Sequence, residues 1–86
     1  MAEVLDIIVA DSQYLVRVGL REVLDAEAGL NVVAEVRNEQ ELLTQISKKN
    51  PHLIIIDYDQ PDFFSVGTIE KIADKHPQTE MIVISS

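Results

Sequence analysis

Four short apolar runs alternate with three segments of helical periodicity, and this alternation limits the fold more than any other feature of the chain. Val4 to Ala10 is nearly all apolar and rich in β-branched residues, the composition of a strand buried on both faces. From Gln13 to Ala26 the apolar residues Val16, Leu20, Val23 and Leu24 recur at helical spacing, and Gly29 follows where a helix stop is expected. Asn31 to Val36 reads as a second strand, polar enough at its ends for a sheet edge. Asn38 reads as an N-cap with Glu41 completing a capping box, and the helix carrying Leu42, Leu43 and Ile46 stops near Asn50-Pro51. Leu53 to Ile56 is a third buried strand, ending in Asp57. A loop containing Pro61 leads into a third helix, with Val66, Ile69, Ile72 and Ala73 along one side. His76-Pro77 closes that helix, and Met81 to Ile84 is the fourth strand. Strands and helices alternating through short loops specify an α/β fold with a parallel sheet.

Crossovers between parallel strands are right-handed in about 98 % of cases, which narrows the topology. In the strand order 2-1-3-4 the first helix lies on one face, and the second and third lie on the other. One helix then covers one side of four strands, and the apolar strands around Ile54, Ile56 and Val83 leave part of that side bare. Met81 to Ile84 is also an open hydrophobic edge, which natural proteins avoid. The chain is therefore expected to be a fragment of a longer domain, or to hide these surfaces against another copy of itself. A monodisperse monomer is not expected.

The 86 residues suffice for one domain. No apolar run approaches the roughly 20 residues of a membrane span, and no basic start followed by an apolar stretch marks an export signal, so a cytoplasmic location is expected. The absence of cysteine excludes disulfides and thiolate metal sites. A net charge of −8 repels phosphate backbones, which argues against direct nucleic-acid binding by this segment. His52 and His76 each neighbour a proline and share no metal-ligand spacing; both read as solvated loop residues.

Ligands of open α/β sheets sit beyond the carboxyl ends of the strands, where strand order reverses. In the 2-1-3-4 order that point lies between strands 1 and 3, so it brings Asp11 and Asp57 together, with Asp59 two residues on. Converging carboxylates suit a hard divalent cation, and Mg²⁺ typically takes one or two of them with waters and phosphate oxygens. The residues equally allow Asp11 to cap the first helix and Asp57 merely to end a strand. Composition and spacing reach no further than these two readings.

Three stretches in register carry a family resemblance. The first is Ile7-Ile8-Val9-Ala10-Asp11-Ser12-Gln13-Tyr14-Leu15-Val16-Arg17-Val18-Gly19-Leu20-Arg21, set against an apolar strand followed by Ala-Asp-Asp-His-Pro-Leu-Val-Arg-x-Gly-Leu-Arg. The second is Leu53-Ile54-Ile55-Ile56-Asp57-Tyr58-Asp59-Gln60-Pro61, set against a strand ending in Asp-Leu-x-Met-Pro. The third is Met81-Ile82-Val83-Ile84-Ser85, set against a strand ending in Thr or Ser. Together they resemble the receiver domain of bacterial two-component response regulators, in the branch that precedes LuxR-type DNA-binding domains.

The resemblance implies a flavodoxin-like three-layer fold with sheet order 2-1-3-4, and makes residues 1–86 a partial receiver domain ending after its fourth strand. The family's fifth strand, its lysine and its last two helices are absent, and a C-terminal DNA-binding domain would lie outside the chain. It further implies that Asp57 accepts a phosphoryl group from a sensor histidine kinase, which makes the module a signalling domain rather than an enzyme. Asp11 and Asp57 would be Mg²⁺ ligands, with the backbone carbonyl of Asp59 completing the metal shell. Ser85 would be the switch hydroxyl that binds the phosphoryl group.

Two departures bear on that implication. Ser12 stands where a second Asp is usual, so the site loses a formal charge; its hydroxyl is free to cap the helix instead. The loop after Pro61 reads Asp62-Phe63-Phe64-Ser65 where glycine and an acidic residue are usual, and its two phenylalanines read as a local apolar anchor or a contact surface. The alternative to a working receiver is therefore a pseudo-receiver, a protein-interaction domain with weak or no phosphorylation. A Mg²⁺-dependent hydrolase on the same fold lacks a nucleophile elbow or a candidate general acid.

Overall fold

A computed structural model describes residues 3–57 and 64–84. The elements follow in the order β1 (Leu5–Ala10), α1 (Tyr14–Asp25), β2 (Leu30–Val36), α2 (Glu39–Lys49), β3 (Leu53–Asp57), α3 (Val66–Lys75) and β4 (Glu80–Ile84). The four strands form one sheet in the order β2-β1-β3-β4, and every neighbouring pair is parallel. Expected strand order and element sequence both hold. Between β1 and β2 the register slips after Ile7, which pairs with Val32, while Ile8 pairs with Ala34. The extra residue is Val33, a bulge on an edge strand, where bulges commonly occur.

The sheet buries apolar side chains on both faces. On one face Ile7, Val9, Val32 and Ile55 are covered by Leu20 and Leu24 of α1. On the other, Ile8, Ala10, Val36, Ile54 and Ile56 meet Leu42 and Ile46 of α2, Ile72 of α3, and Phe64. Each fully buried Leu, Ile or Phe contributes about 1.5–3 kcal/mol of transfer free energy, so the two-helix face carries most of the core.

Burial corrects several details of the sequence reading. Ile54 and Ile56 do not lie on the bare side: both are fully buried beneath α2 and α3. Side chains alternate along a strand, and the register pairs Ile55 with Ile82 and Asp57 with Ile84. The exposed positions on the α1 face are therefore Ile82 and Ile84, at 50 % and 39 % exposure. Val83, on the opposite face, is also exposed at the sheet's outer edge. In α1, Val16 and Val23 point away from the core and are exposed, while the inward stripe is Arg17, Leu20 and Leu24. In α3, Val66 and Ala73 are exposed, and the inward residues are Thr68, Ile69 and Ile72.

The helix ends also differ in part. Asn38 caps α2 as expected, its side chain accepting from the Glu41 N–H at 2.9 Å. Glu41 does not close a box on Asn38; it accepts instead from the Arg37 N–H at 2.8 Å and pairs with the Arg37 guanidinium at 3.0 Å. Asn50 ends α2 in the left-handed region at φ 46°, which asparagine tolerates better than most residues. Gly29 is not the stop of α1, which ends at Asp25 with Ala26 as its C-cap. The glycine lies in the turn into β2 at φ 89°, and its carbonyl accepts from the Leu5 N–H at 2.8 Å.

A full capping box occurs at α3, where Ser65 and Thr68 exchange side-chain and backbone hydrogen bonds at 3.1 and 3.2 Å. The buried Thr68 hydroxyl also donates to the Glu39 carboxylate, and Lys71 lies 3.4 Å from the same carboxylate. The Thr68 hydroxyl, and secondarily Lys71, hold the Glu39 carboxyl below its usual range. This ties the first turn of α3 to the first residue of α2.

Candidate functional site at the carboxyl ends of the strands

Ala10 pairs with Ile56 across β1 and β3, so Asp11 and Asp57 leave adjacent strands at the same level. The chain reverses order at this point of the sheet, the place where an α/β crevice opens. Asp11 is only 2 % exposed. Its backbone N–H donates to the Val36 carbonyl at 3.0 Å, and its Oδ1 accepts the Gln13 N–H at 2.7 Å. Asp11 thus turns the chain from β1 toward α1. It is not the cap of that helix: the N-cap position is Gln13, and no side chain caps it. Ser12 is half-buried and does not cap the helix either.

Burial pushes the Asp11 carboxyl above its ordinary range. The Gln13 N–H opposes that shift, the Asp57 carboxylate beside it adds to it both by hydrogen bonding and by charge, and the charge of Arg17 opposes it. Two acids close enough to share a proton raise the cost of ionising both, and a divalent cation relieves that cost directly. The donor set therefore fits Mg²⁺. Among the described residues no third carboxylate, histidine or cysteine joins the pair, and a cation that keeps most of its waters needs no more than two.

Replacing Asp11 by Asn keeps the acceptor for the Gln13 N–H and removes the buried charge. Asp11→Asn is expected to raise the unfolding free energy by on the order of 1 kcal/mol, as relief of a strained functional site commonly does. It should also erase any stabilisation by Mg²⁺. Urea titrations with and without the cation check both outcomes; a less stable variant would count against a repulsive pair.

The other sequence expectations fare unevenly. Asp59 and Ser85, expected as metal-shell and switch residues, lie outside the described residues, as do Pro61 and Phe63. Phe64 is fully buried in the two-helix core, which bears out the anchor reading for that residue. His52 is exposed as expected, yet its Nδ1 accepts from the Asp6 N–H at 2.9 Å, so the ring helps to hold β3 against β1. His52 and His76 line a cleft of about 450 Å³ with Asn50, Pro51 and Lys75, at the end of the sheet away from the carboxylates.

The residue that sequence reasoning passed over is Arg17. It is 7 % exposed, and its Nη1 donates to the Asp11 carbonyl at 2.7 Å. The signal was available in its spacing: Arg17 precedes Leu20 by three and Leu24 by seven, which places it on the inward stripe of α1.

Comparison with known proteins agrees with this geometry. The family described as "Response regulator receiver domain" matches residues 7–86. An uncharacterized transcriptional regulatory protein of Bacillus subtilis, YhcZ, is 31 % identical over 93 % of this chain and 37 % of its own length. A protein-glutamate methylesterase/protein-glutamine glutaminase of Pseudoalteromonas atlantica is 29 % identical over 93 % of this chain and 21 % of its own. The chain thus spans well under half the length of these relatives. Among solved structures, RcsB of Salmonella enterica serovar Typhimurium, bound to a promoter in the presence of a phosphomimetic, superposes with a TM-score of 0.88. It shares 26 % identity over 96 % of this chain and 43 % of its own. The response regulator domain of Thermotoga maritima CheB superposes at 0.87, with 23 % identity over 98 % of this chain and 62 % of that one, a likeness of fold. With adjacent strand-end carboxylates, a 2-1-3-4 parallel sheet and a family match along nearly its whole length, the chain belongs to the response regulator receiver domains.

Proposed function

We propose that this chain is the phosphoacceptor module of a two-component transcriptional regulator, with Asp57 receiving a phosphoryl group from the phosphohistidine of a sensor kinase. The observation that carries this reading is the buried Asp11 carboxylate beside Asp57 at the switch point of the sheet. Asp57 ends β3 and is half-buried at the carboxyl end of the sheet, beside Asp11. One of its oxygens attacks phosphorus, an O–P bond forms and the phosphohistidine N–P bond breaks. The released imidazole keeps the electron pair and takes a proton from solvent.

Mg²⁺ held by Asp11 and Asp57, with the Asp59 carbonyl as third protein donor, would neutralise the phosphoryl oxygens during transfer. Asp11 contributes a carboxylate whose direction the Gln13 N–H sets. Ser12 contributes no charge, which lowers cation affinity relative to a site with a third carboxylate. Ser85, following β4, would hydrogen-bond the acquired phosphoryl group and report it to whatever domain follows. The presence of transcriptional regulatory proteins among the relatives supports a transcription-regulating output, and the LuxR-type form of it rests on the resemblance of the first stretch.

Intact-mass analysis after incubation with Mg²⁺ and a small phosphodonor tests the reading, using a chain extended through a fifth strand. A phosphoryl adduct is expected. Its absence in a folded protein would favour the second reading, a pseudo-receiver, for which Ser12 is the supporting feature.

The exposed outer strand bears on partners. Ile82 and Ile84 leave an apolar strip on the α1 face, and among the described residues β4 pairs with β3 alone. As an isolated polypeptide, the 86-residue chain is expected to associate with a second copy through this edge. Light scattering at working concentration should give a mass above the monomer, and Ile84→Lys should lower it. A sharp monomer peak for the unmodified chain would refute the association.

A further inference from the structure

Arg17 is the most deeply buried cationic side chain described, and its position demands an explanation. Burying a guanidinium is costly unless its donors are occupied. Its Nη1 donates to the Asp11 carbonyl at 2.7 Å, its Nε lies 3.7 Å from the Glu35 carboxylate, and its guanidinium carbon sits 5.6 Å from the Tyr14 ring centre. Glu35 is itself held by Arg21 at 2.8 Å, and Arg21 pairs with Asp25 at 3.4 Å. The network runs from α1 to the end of β2 and closes on the main chain of Asp11.

Asp11 is consequently fixed at three points. Val36 holds its N–H, Arg17 holds its carbonyl, and the Gln13 N–H holds one carboxylate oxygen. With the backbone pinned on both sides and one carboxylate oxygen held, the side chain is anchored in the arrangement that sets it beside Asp57. We infer that Arg17 is a positioning residue, which orients Asp11 for divalent-cation binding through its carbonyl and not through its charge. The inference rests on the reading of Asp11 and Asp57 as the cation site.

At a pH well above the carboxylate range, where Asp11 is ionised with or without the Arg17 charge, charge and position predict opposite signs, which makes the inference decidable. A positive group this near a cation site repels the cation, so removing a bystander charge would tighten binding. Removing a positioning group would weaken it, by about 10–100-fold for partners that orient metal ligands.

The experiment is a calorimetric titration of the chain with Mg²⁺, comparing the unmodified protein with Arg17→Met and Arg17→Lys. Circular dichroism serves as the check of folding. Arg17→Met should bind about 10–100-fold more weakly although the site has lost a repulsive charge. Arg17→Lys, whose single ammonium can still reach the carbonyl, should recover part of the loss. If Arg17→Met fails to fold, Glu35→Gln serves instead. It leaves the arginine in place without its carboxylate partner, and a several-fold weakening is expected.

Unchanged or tighter binding by the folded variant overturns the positioning role while leaving the cation site intact. No measurable Mg²⁺ binding by the unmodified, folded chain overturns the site reading and the inference together.

Discussion

Phe64→Ala is expected to lower the unfolding free energy by about 3–5 kcal/mol, the cost of emptying a buried aromatic site. Domains of ordinary size are stable by only about 5–15 kcal/mol, so the change removes a large fraction of the total. Phe64 has no solvent exposure and belongs to the same cluster as Leu42, Ile46, Ile54, Ile56 and Ile72. It is followed at once by Ser65, the cap of α3, so the ring pins the start of that helix against the core. Urea unfolding measures the effect, and Phe64→Leu, which keeps most of the apolar volume, should cost less than about 1.5 kcal/mol. A loss below about 1 kcal/mol for the alanine variant would mean that Phe64 is not the anchor its burial indicates.

Asp57→Asn is expected to abolish the phosphoryl adduct while leaving the fold intact. The amide is nearly isosteric with the carboxylate, so the end of β3 and its pairing with Ile84 are retained. What disappears is the charged oxygen nucleophile, and no neighbouring side chain replaces it in the proposed reaction. Asp11 is the nearest alternative, but it is buried and its Oδ1 is engaged by the Gln13 N–H. The variant also removes one of the two causes of ionisation cost in the pair, so its thermal midpoint should not fall. Intact mass before and after phosphodonor treatment checks the first expectation, and a melting curve checks the second. An adduct that persists in Asp57→Asn would move the acceptor to another residue.

Much of the architecture was legible in the chain itself, because strands and helices differ in period. The apolar runs at Ile7 to Ala10 and Leu53 to Ile56 read as strands buried on both faces, and the segments of helical period between successive strands read as crossover helices. Right-handed crossovers narrow the strand orders available, and the family resemblance picked out β2-β1-β3-β4, the observed order, in which Asp11 and Asp57 meet. The juxtaposition of those two carboxylates was therefore legible before the sheet was seen, through pattern and resemblance together.

The rest depended on which way each side chain points in the assembled sheet. Val16 and Val23 satisfy a helical repeat but lie off the stripe that α1 turns inward, and the position they were expected to fill belongs partly to a charged residue, Arg17. Spacing puts Arg17 on the inward stripe with Leu20 and Leu24, but whether an arginine stays buried there depends on partners supplied by other elements: the Asp11 carbonyl and Glu35 at the end of β2. Glu41 offered the spacing of a capping box and was claimed by Arg37; Ser65 and Thr68 formed one with a threonine where the usual pattern has glutamate. Strand parity and edge position are equally silent until register and order are known, and together they decided that Ile54 and Ile56 are core while Ile82, Val83 and Ile84 are exposed. Local pattern determined which elements form and in what order. Only tertiary structure decided which faces are covered and what holds the acidic pair in place, because hydrogen-bond partners distant in sequence exist only after the sheet has assembled.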